Sequence, residues 1–254
     1  MSHVQTKVYH ITYSKDFKIC SLFFWGCNLR CKICLLKKEA YDCHLQENRL
    51  RIYEPDYRSA RPKNFLVLES LFSLLSELEI DRTFLMGAEP LVDPALPKVL
   101  DFLKSKKNSK ISLLTNGLKL SPLSLLDEII FSLKAITPKL HKDYTGIDNR
   151  RILKNFAMIS RFEGIKMYAE TVFIPDYVDE REVMKIAEFI ASVSRDIPFR
   201  IDAYLPIPDL PWEAPEVHQI ESIAERVKDI LPNTTCFYGD EGSTPLVYEI
   251  ERIY

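Results

Sequence analysis

The feature that most narrows the fold is an alternation of two hydrophobic periods after residue 60. Leu68, Leu71, Phe72, Leu75 and Leu78 carry the helical period, and Thr83 to Met86 then reads as a strand. Leu96, Val99, Leu100 and Leu103 repeat the helical stripe behind Asp93 and Pro94, a pair suited to an N-cap and first turn, before a strand from Lys110 to Leu114. The unit recurs as a strand from Glu128 to Leu133, a helix marked by Ile152, Phe156 and Ile159, and a strand from Ile165 to Ile174. Asp179, with Glu182 three residues on, opens a helix whose stripe is Val183, Ile186, Ala187 and Ile190. A strand from Phe199 to Leu205, a helix carrying Ile220, Ile223, Ala224, Val227 and Leu231, and short strands between Thr234 and Ile250 close the series.

With Lys18 to Trp25 at the front, about six strands are separated by helices, which calls for a parallel sheet with right-handed crossovers. Six units fall short of a closed eight-stranded barrel, so the expected fold is α/β, a partial (βα)6 TIM-type barrel with its active site at the C-terminal ends of the strands. The 254 residues are expected to form one domain, with a barrel core over about 18–231 and N- and C-terminal strands as extensions.

Composition supports an ordinary globular core, at 46% hydrophobic and 28% charged residues. A formal net charge of -2 supplies no broad basic field for nucleic-acid phosphates, which argues against such a partner. Arg49, Arg51, Arg58, Arg61 and Lys63 are one modest basic cluster, read first as a solvated connection. No apolar run approaches the ~20 residues needed to cross a bilayer, and the polar N-terminus lacks the build of a signal peptide. A cytoplasmic protein without a membrane partner is expected, and six cysteines, three of them within eight positions, suit a metal site in a reducing compartment.

Within the strands, residue types alternate. Phe199, Ile201, Ala203 and Leu205 are apolar, whereas Arg200, Asp202 and Tyr204 alternate with them and can face a polar cavity. Tyr168 and Glu170, and Ser132 and Lys134 one strand earlier, can point the same way; solvent exposure at a strand end explains any one of them equally well.

The chemistry concentrates at Cys27, Cys31 and Cys34, a C-x3-C-x2-C run directly after the first strand, at the active-site end of a barrel. Three thiolates at this spacing can hold three irons of a [4Fe-4S] cube and leave the fourth open. Two other readings stand beside this one: buried, inert cysteines, or a zinc site completed by Cys43 or His44. Cys20 lies in an apolar strand and reads as core, and Cys43 and Cys236 form no second motif.

This run resembles the signature of the radical S-adenosylmethionine (SAM) superfamily, which sits at the top of a partial (βα)6 barrel. Gly87, Ala88, Glu89 and Pro90 resemble that family's Gly-Gly-Glu-Pro, which implies binding of the SAM amino group by a carboxylate and backbone carbonyls. Within the superfamily the likeness is to the activating enzymes of glycyl-radical enzymes, over about residues 18–235. Thr115, Asn116 and Gly117 match their Thr-Asn-Gly, and Ser132, Leu133 and Lys134 resemble their Asp-Leu-Lys, followed by His141, Thr145, Gly146 and Ile147. The resemblance implies that Lys134 meets the SAM carboxylate, and Glu170 joins the cofactor-binding set.

The chain departs from those enzymes where it has Leu114 and Ser132 in place of two carboxylates of a monovalent-cation site, Ile33 in place of an aromatic residue, and Ala88 in place of a glycine. A proline-dense run from Leu205 to Pro215 replaces their Tyr-His segment and reads equally as a stiff wall over the substrate cavity or as a rigid loop. The resemblance implies a [4Fe-4S] cluster and SAM as cofactors, reductive cleavage of SAM to a 5′-deoxyadenosyl radical, and hydrogen abstraction from a substrate such as a protein glycine. It also implies a low-potential electron donor such as ferredoxin or flavodoxin. The alternatives are a small-molecule radical SAM biosynthetic enzyme and a non-enzymatic iron-sulfur or zinc protein.

Overall fold

A computed structural model of the chain describes residues 4–37, 61–121, 123–207, 209–238 and 251–254. The expected positions Cys43, His44, Arg49, Arg51, Arg58 and Pro208, and the tail over 239–250, lie outside the described residues.

The strands are β1 (Val8–Ser14), β2 (Ile19–Phe24), β3 (Arg82–Gly87), β4 (Lys110–Thr115), β5 (Glu128–Ser132), β6 (Lys166–Phe173), β7 (Phe199–Ala203), β8 (Thr234–Phe237) and β9 (Glu251–Arg252). They form one sheet in the order β8-β7-β6-β5-β4-β3-β2-β1-β9. Neighbours from β2 through β8 pair in parallel, while β1 runs antiparallel to β2 and to β9. The sheet is not closed, and the fold is a partial TIM-type barrel. The six expected strands are β2 to β7, each within two residues of its expected bounds at either end, and β8 continues the parallel run. The expected N-terminal extension is β1, all seven of whose residues are buried; His10, Thr12 and Ser14 break its apolar alternation.

The helices are α1 (Leu68–Ser76), α2 (Leu96–Lys107), α3 (Pro138–Thr145), α4 (Arg150–Ile159), α5 (Glu180–Val193) and α6 (Val217–Lys228). The expected stripes supply the buried faces, Leu96, Val99, Leu100 and Leu103 on α2, and Val183, Ile186, Ala187 and Ile190 on α5, while Phe72 on α1 is only partly buried. Each such side chain taken from water contributes roughly 1.5–3 kcal/mol. Leu78 and Leu231 fall just beyond the helices whose stripes they extend. Two expected caps behave differently. Asp93 and Pro94 precede α2, whose N-cap position is Ala95 and whose first turn carries Pro97. The Asp93 carboxylate instead accepts from the Ala95 and Lys7 backbone N–H groups, at 2.8 and 2.7 Å, which ties the segment entering β1 to this loop. Asp179 caps α5 by accepting from Glu182 N, but the Glu182 carboxylate reaches across to Ile136 and Thr137 rather than back to the cap.

At the N-terminal end of the strands a polar knot fills the barrel interior. The buried Glu128 carboxylate takes Ser112 Oγ at 2.6 Å, Lys110 Nζ at 2.7 Å and Arg82 Nη1 at 2.9 Å, with the Tyr168 hydroxyl at 3.4 Å. Tyr168 therefore faces the interior at the end away from the cysteine loop. The opposite end is left open for a cavity.

Candidate active site

The cysteine loop leaves β2 at Phe24 and is held from three sides. Ala88 N donates to Phe24 O at 2.8 Å and Glu89 N to Gly26 O at 3.1 Å, which lays the loop after β3 against it. That approach demands a glycine at 87: its φ is +96°, and a Cβ there would stand 2.7 Å from Phe24 O and 2.8 Å from Phe24 N. On a second side, Arg30 N and Lys32 N donate to the carbonyls of Thr145 and Tyr144, at 2.9 and 3.0 Å. Those carbonyls belong to the last turn of α3, where helix carbonyls lack intrahelical partners. His141 and Thr145, singled out in the sequence, shape that turn: His141 Nδ1 lies 2.9 Å from Ile147 O and 3.1 Å from Thr145 Oγ1, and Gly146 takes a φ of +88°. On the third side, Asn116 Nδ2 donates to Asn28 Oδ1 at 2.8 Å and reaches Cys27 Sγ at 3.5 Å.

Glu89 joins the first and third sides. It is fully buried, and its carboxylate accepts from Leu91 N (3.2 Å), Thr115 Oγ1 (2.9 and 3.0 Å) and Asn116 N (2.8 Å). Burial pushes the Glu89 carboxyl up to about 7 in spite of these donors and the nearby Lys134 charge. Gly117, at φ +73°, completes the turn after β4 under the ring of Phe131.

These elements enclose a cavity of about 380 Å³, within the usual range for small-ligand sites. Ten of the twelve site residues expected from the sequence line it: Cys27, Cys31, Cys34, Gly87, Ala88, Thr115, Asn116, Ser132, Lys134 and Glu170. Glu89 and Pro90 stand behind that wall; Glu89 acts on the Thr115–Asn116 turn, and Pro90 opens a buried 3-10 turn over Pro90–Val92. Lys134 Nζ donates to Ser132 Oγ at 2.6 Å.

One flank is apolar, with Tyr9, Phe23, Leu36 and Met86. The other is polar: Arg200 donates from Nε to Asp202 Oδ1 at 2.6 Å, and from Nη2 to Asp202 Oδ2 at 3.0 Å and Glu170 Oε2 at 2.8 Å. Alternation along β7 placed Arg200 and Asp202 on this face in the sequence. Tyr9, Tyr144 and Phe237 also line the cavity and carried no sequence motif. Of the proline-dense run, Leu205 lines the cavity, while Trp212 stacks on Tyr177 with ring centroids 4.0 Å apart.

Cys27, Cys31 and Cys34 form no disulfide among the described residues, and burial pushes Cys27 up to about 11, so a thiolate there needs a cation against it. Among the described residues no three His, Cys, Asp or Glu side chains converge tightly enough to hold a single ion. A four-iron cube takes its cysteines one to an iron at separate corners, so three thiols spread over one cavity wall fit it. Cys20 is fully buried core, and Cys236 Sγ lies 3.4 Å from the Tyr238 hydroxyl.

The fold and the cavity together define a partial barrel with a ligand site at the C-terminal ends of its strands. The chain belongs to the radical SAM superfamily, which matches residues 22–190. It is 27% identical over 223 residues, covering 85% of this chain and 79% of the relative, to a protein of Methanocaldococcus jannaschii named as a glycyl-radical enzyme activating enzyme. The isethionate sulfite-lyase activating enzyme of Desulfovibrio desulfuricans is 28% identical over 117 residues, covering 42% of this chain and 37% of that one. Among solved structures, QueE from Escherichia coli is similar in fold, with a TM-score of 0.55 at 13% identity over 92% of this chain and 94% of QueE. SuiB of Streptococcus suis bound to its precursor peptide gives 0.58 at 16% identity over 84% of this chain, which spans about half the length of SuiB. Family membership implies SAM and an iron-sulfur cluster. No helix of the described residues is long and apolar enough to cross a membrane.

Proposed function

We propose that the chain is one radical SAM domain that activates a partner protein by taking a hydrogen atom from one of its glycines. The observation that carries the chemistry is the meeting of Cys27, Cys31 and Cys34 with Gly87, Ala88 and Lys134 around one cavity. The extent of the likeness to the Methanocaldococcus relative supports the choice of substrate.

In this reading Cys27, Cys31 and Cys34 hold three irons of a [4Fe-4S] cluster. Bound together, the cluster and SAM would supply reductive cleavage of SAM to methionine and a hydrogen-abstracting 5′-deoxyadenosyl radical, with the one electron coming from a low-potential donor such as ferredoxin or flavodoxin. The residues of the chain do the rest. Lys134, held at 2.6 Å by Ser132, meets the SAM carboxylate, and the Gly87 and Ala88 carbonyls offer acceptors to its ammonium. Thr115 and Asn116 support that wall, with Glu89 fixing their turn from behind and Pro90 beside it. Glu170 completes the cofactor set at the seam with the polar flank. Tyr9, Phe23 and Met86 close the apolar side against solvent thiols and other hydrogen-atom donors, which would quench a carbon radical.

Anaerobic reconstitution with iron and sulfide, then incubation with SAM and dithionite, tests this. Wild type is expected to form 5′-deoxyadenosine and Cys31→Ala to form none above background. Undiminished product from Cys31→Ala would sink the cluster assignment. Deuterium carried from a glycine-labelled peptide into 5′-deoxyadenosine is expected for a glycine substrate, and transfer only from a small molecule of cell extract would favour the biosynthetic alternative.

A further inference from the structure

The polar flank of the cavity is built for a second ligand. Arg200 lies in register with Glu170 on β6 and Thr235 on β8, and Asp202 with Val172 and Phe237, so the three charged side chains come from adjacent strands. A guanidinium has five N–H donors and no acceptor. Three are spent: Nε–H on Asp202 and both Nη2 hydrogens on Asp202 and Glu170. The two on Nη1 make no hydrogen bond among the described residues, and the guanidinium carbon is held 5.6 Å from the centre of the Phe237 ring. The fork is thus fixed on one edge, backed by an aromatic ring, and left with two donors beside the cavity that Arg200 lines.

Charge selects what those donors take. One guanidinium between two carboxylates carries a formal charge of -1, which Lys134 on the same cavity wall at most cancels, so an incoming carboxylate or phosphate meets no net attraction here. A neutral carbonyl oxygen accepts from Nη1 without that cost, and Glu170 Oε1, which makes no hydrogen bond among the described residues, can accept an N–H. A group offering a carbonyl and an N–H side by side is a peptide amide. We infer that Arg200, with Glu170 and Asp202, forms the substrate subsite and binds the neutral backbone amide of a peptide next to the SAM site. The inference rests on the glycine reading above for the identity of that peptide.

The test uses the reconstituted holoenzyme with SAM and the blocked peptide N-acetyl-Ala-Gly-Ala-amide, with binding read by anaerobic equilibrium dialysis. The blocked peptide is expected to bind, its free-acid counterpart to bind no tighter, and Arg200→Gln to raise the Kd of the blocked peptide at least tenfold while the Kd of SAM changes less than threefold. Absence of binding, tighter binding of the free acid, or an unchanged Kd in Arg200→Gln would each overturn the subsite. If Arg200→Gln fails to retain its cluster, Arg200→Lys, which keeps the charge and loses the fork, carries the same expectation. Failure of deuterium transfer from glycine while Arg200-dependent binding persists would remove the glycine reading and leave the subsite standing.

Discussion

Replacing Glu89 with Gln tests whether a buried carboxylate is held at the centre of the site against its own solvation. The side chain is fully buried between the loops after β2, β3 and β4, and its carboxyl is raised from 4.5 to about 7. A raised acid is destabilising once it ionises: below 4.5 both folded and unfolded chains hold the proton, and between 4.5 and 7 only the folded chain does. Stability therefore falls as pH rises through that window and is level above it. The shift corresponds to about 3 kcal/mol lost by pH 8, of which about 1 kcal/mol is already lost at pH 5. Gln escapes this dependence. It brings its own cost, because its amide nitrogen must face either Asn116 N–H or Leu91 N–H; the longer 3.2 Å bond to Leu91 is the one to lose, at roughly 1–2 kcal/mol. Urea denaturation of the cluster-free protein, anaerobic and reduced, is expected to find Glu89→Gln about as stable as wild type or slightly less at pH 5, and more stable by about 1–2 kcal/mol at pH 8. A stability difference that stays constant from pH 5 to 8 would refute the reasoning, because the charge would then cost nothing to bury.

Glu182 is a carboxylate shifted in the opposite direction. Burial alone would raise it, but Thr137 Oγ1, Thr137 N and Ile136 N at 2.6, 2.7 and 2.6 Å, with Lys185 at 3.2 Å, hold it below 4.5. Its contribution is present above pH 4.5 and is lost as pH falls through its lowered value, so Glu182→Gln is expected to cost about 1.5–3 kcal/mol at pH 7 and less at pH 4, measured by the same denaturation. Gly117→Ala places a Cβ 1.7 Å from the Phe131 ring at a φ of +73°, and about 3 kcal/mol of destabilisation is expected by thermal denaturation; a shift under 1 °C would mean the ring moves aside freely.

The barrel was legible because its signal is periodic. The helix stripes read from spacing supply the buried helix faces, and β2 to β7 lie where the apolar positions fell, with β6, and β3 and β7 up to their last two residues, burying every second residue. β1 was harder to read because antiparallel pairing buries His10, Thr12 and Ser14 at a position where alternation predicts solvent. The helix α3 has only eight residues and no apolar stripe of its own, so its pattern was lost in the loop. Within the site, motif residues were found and their division of labour was not. Glu89 reads as a ligand in sequence, yet its carboxylate is consumed by donors 26 and 27 residues away, at the end of β4 and in the turn after it, a partnership no local spacing encodes. Phe237 on the edge strand β8 and Tyr9 on β1, seven strands away, enter one cavity only because the strands curl toward each other.

The proline-dense run from Leu205 departs most from the activating enzymes, and its contacts lead to the cysteine loop. Trp212 stacks on Tyr177, whose hydroxyl donates to Asp143 at 2.7 Å, and Asp143 pairs with Lys32 at 2.7 Å, between Cys31 and Cys34. The Lys32 ammonium also lies 5.7 Å from the centre of the Tyr177 ring. Asp143 is exposed, so its ion pair alone contributes little, and the rigidity of the chain comes from the stacked rings and from the Lys32 backbone bond to Tyr144. A stiff segment anchored this way fixes the rim of the cavity on the side nearest Cys31. Leu205, at the start of the same segment, lines the cavity beside Tyr204, so one run of sequence both shapes the substrate side and braces the cysteine loop.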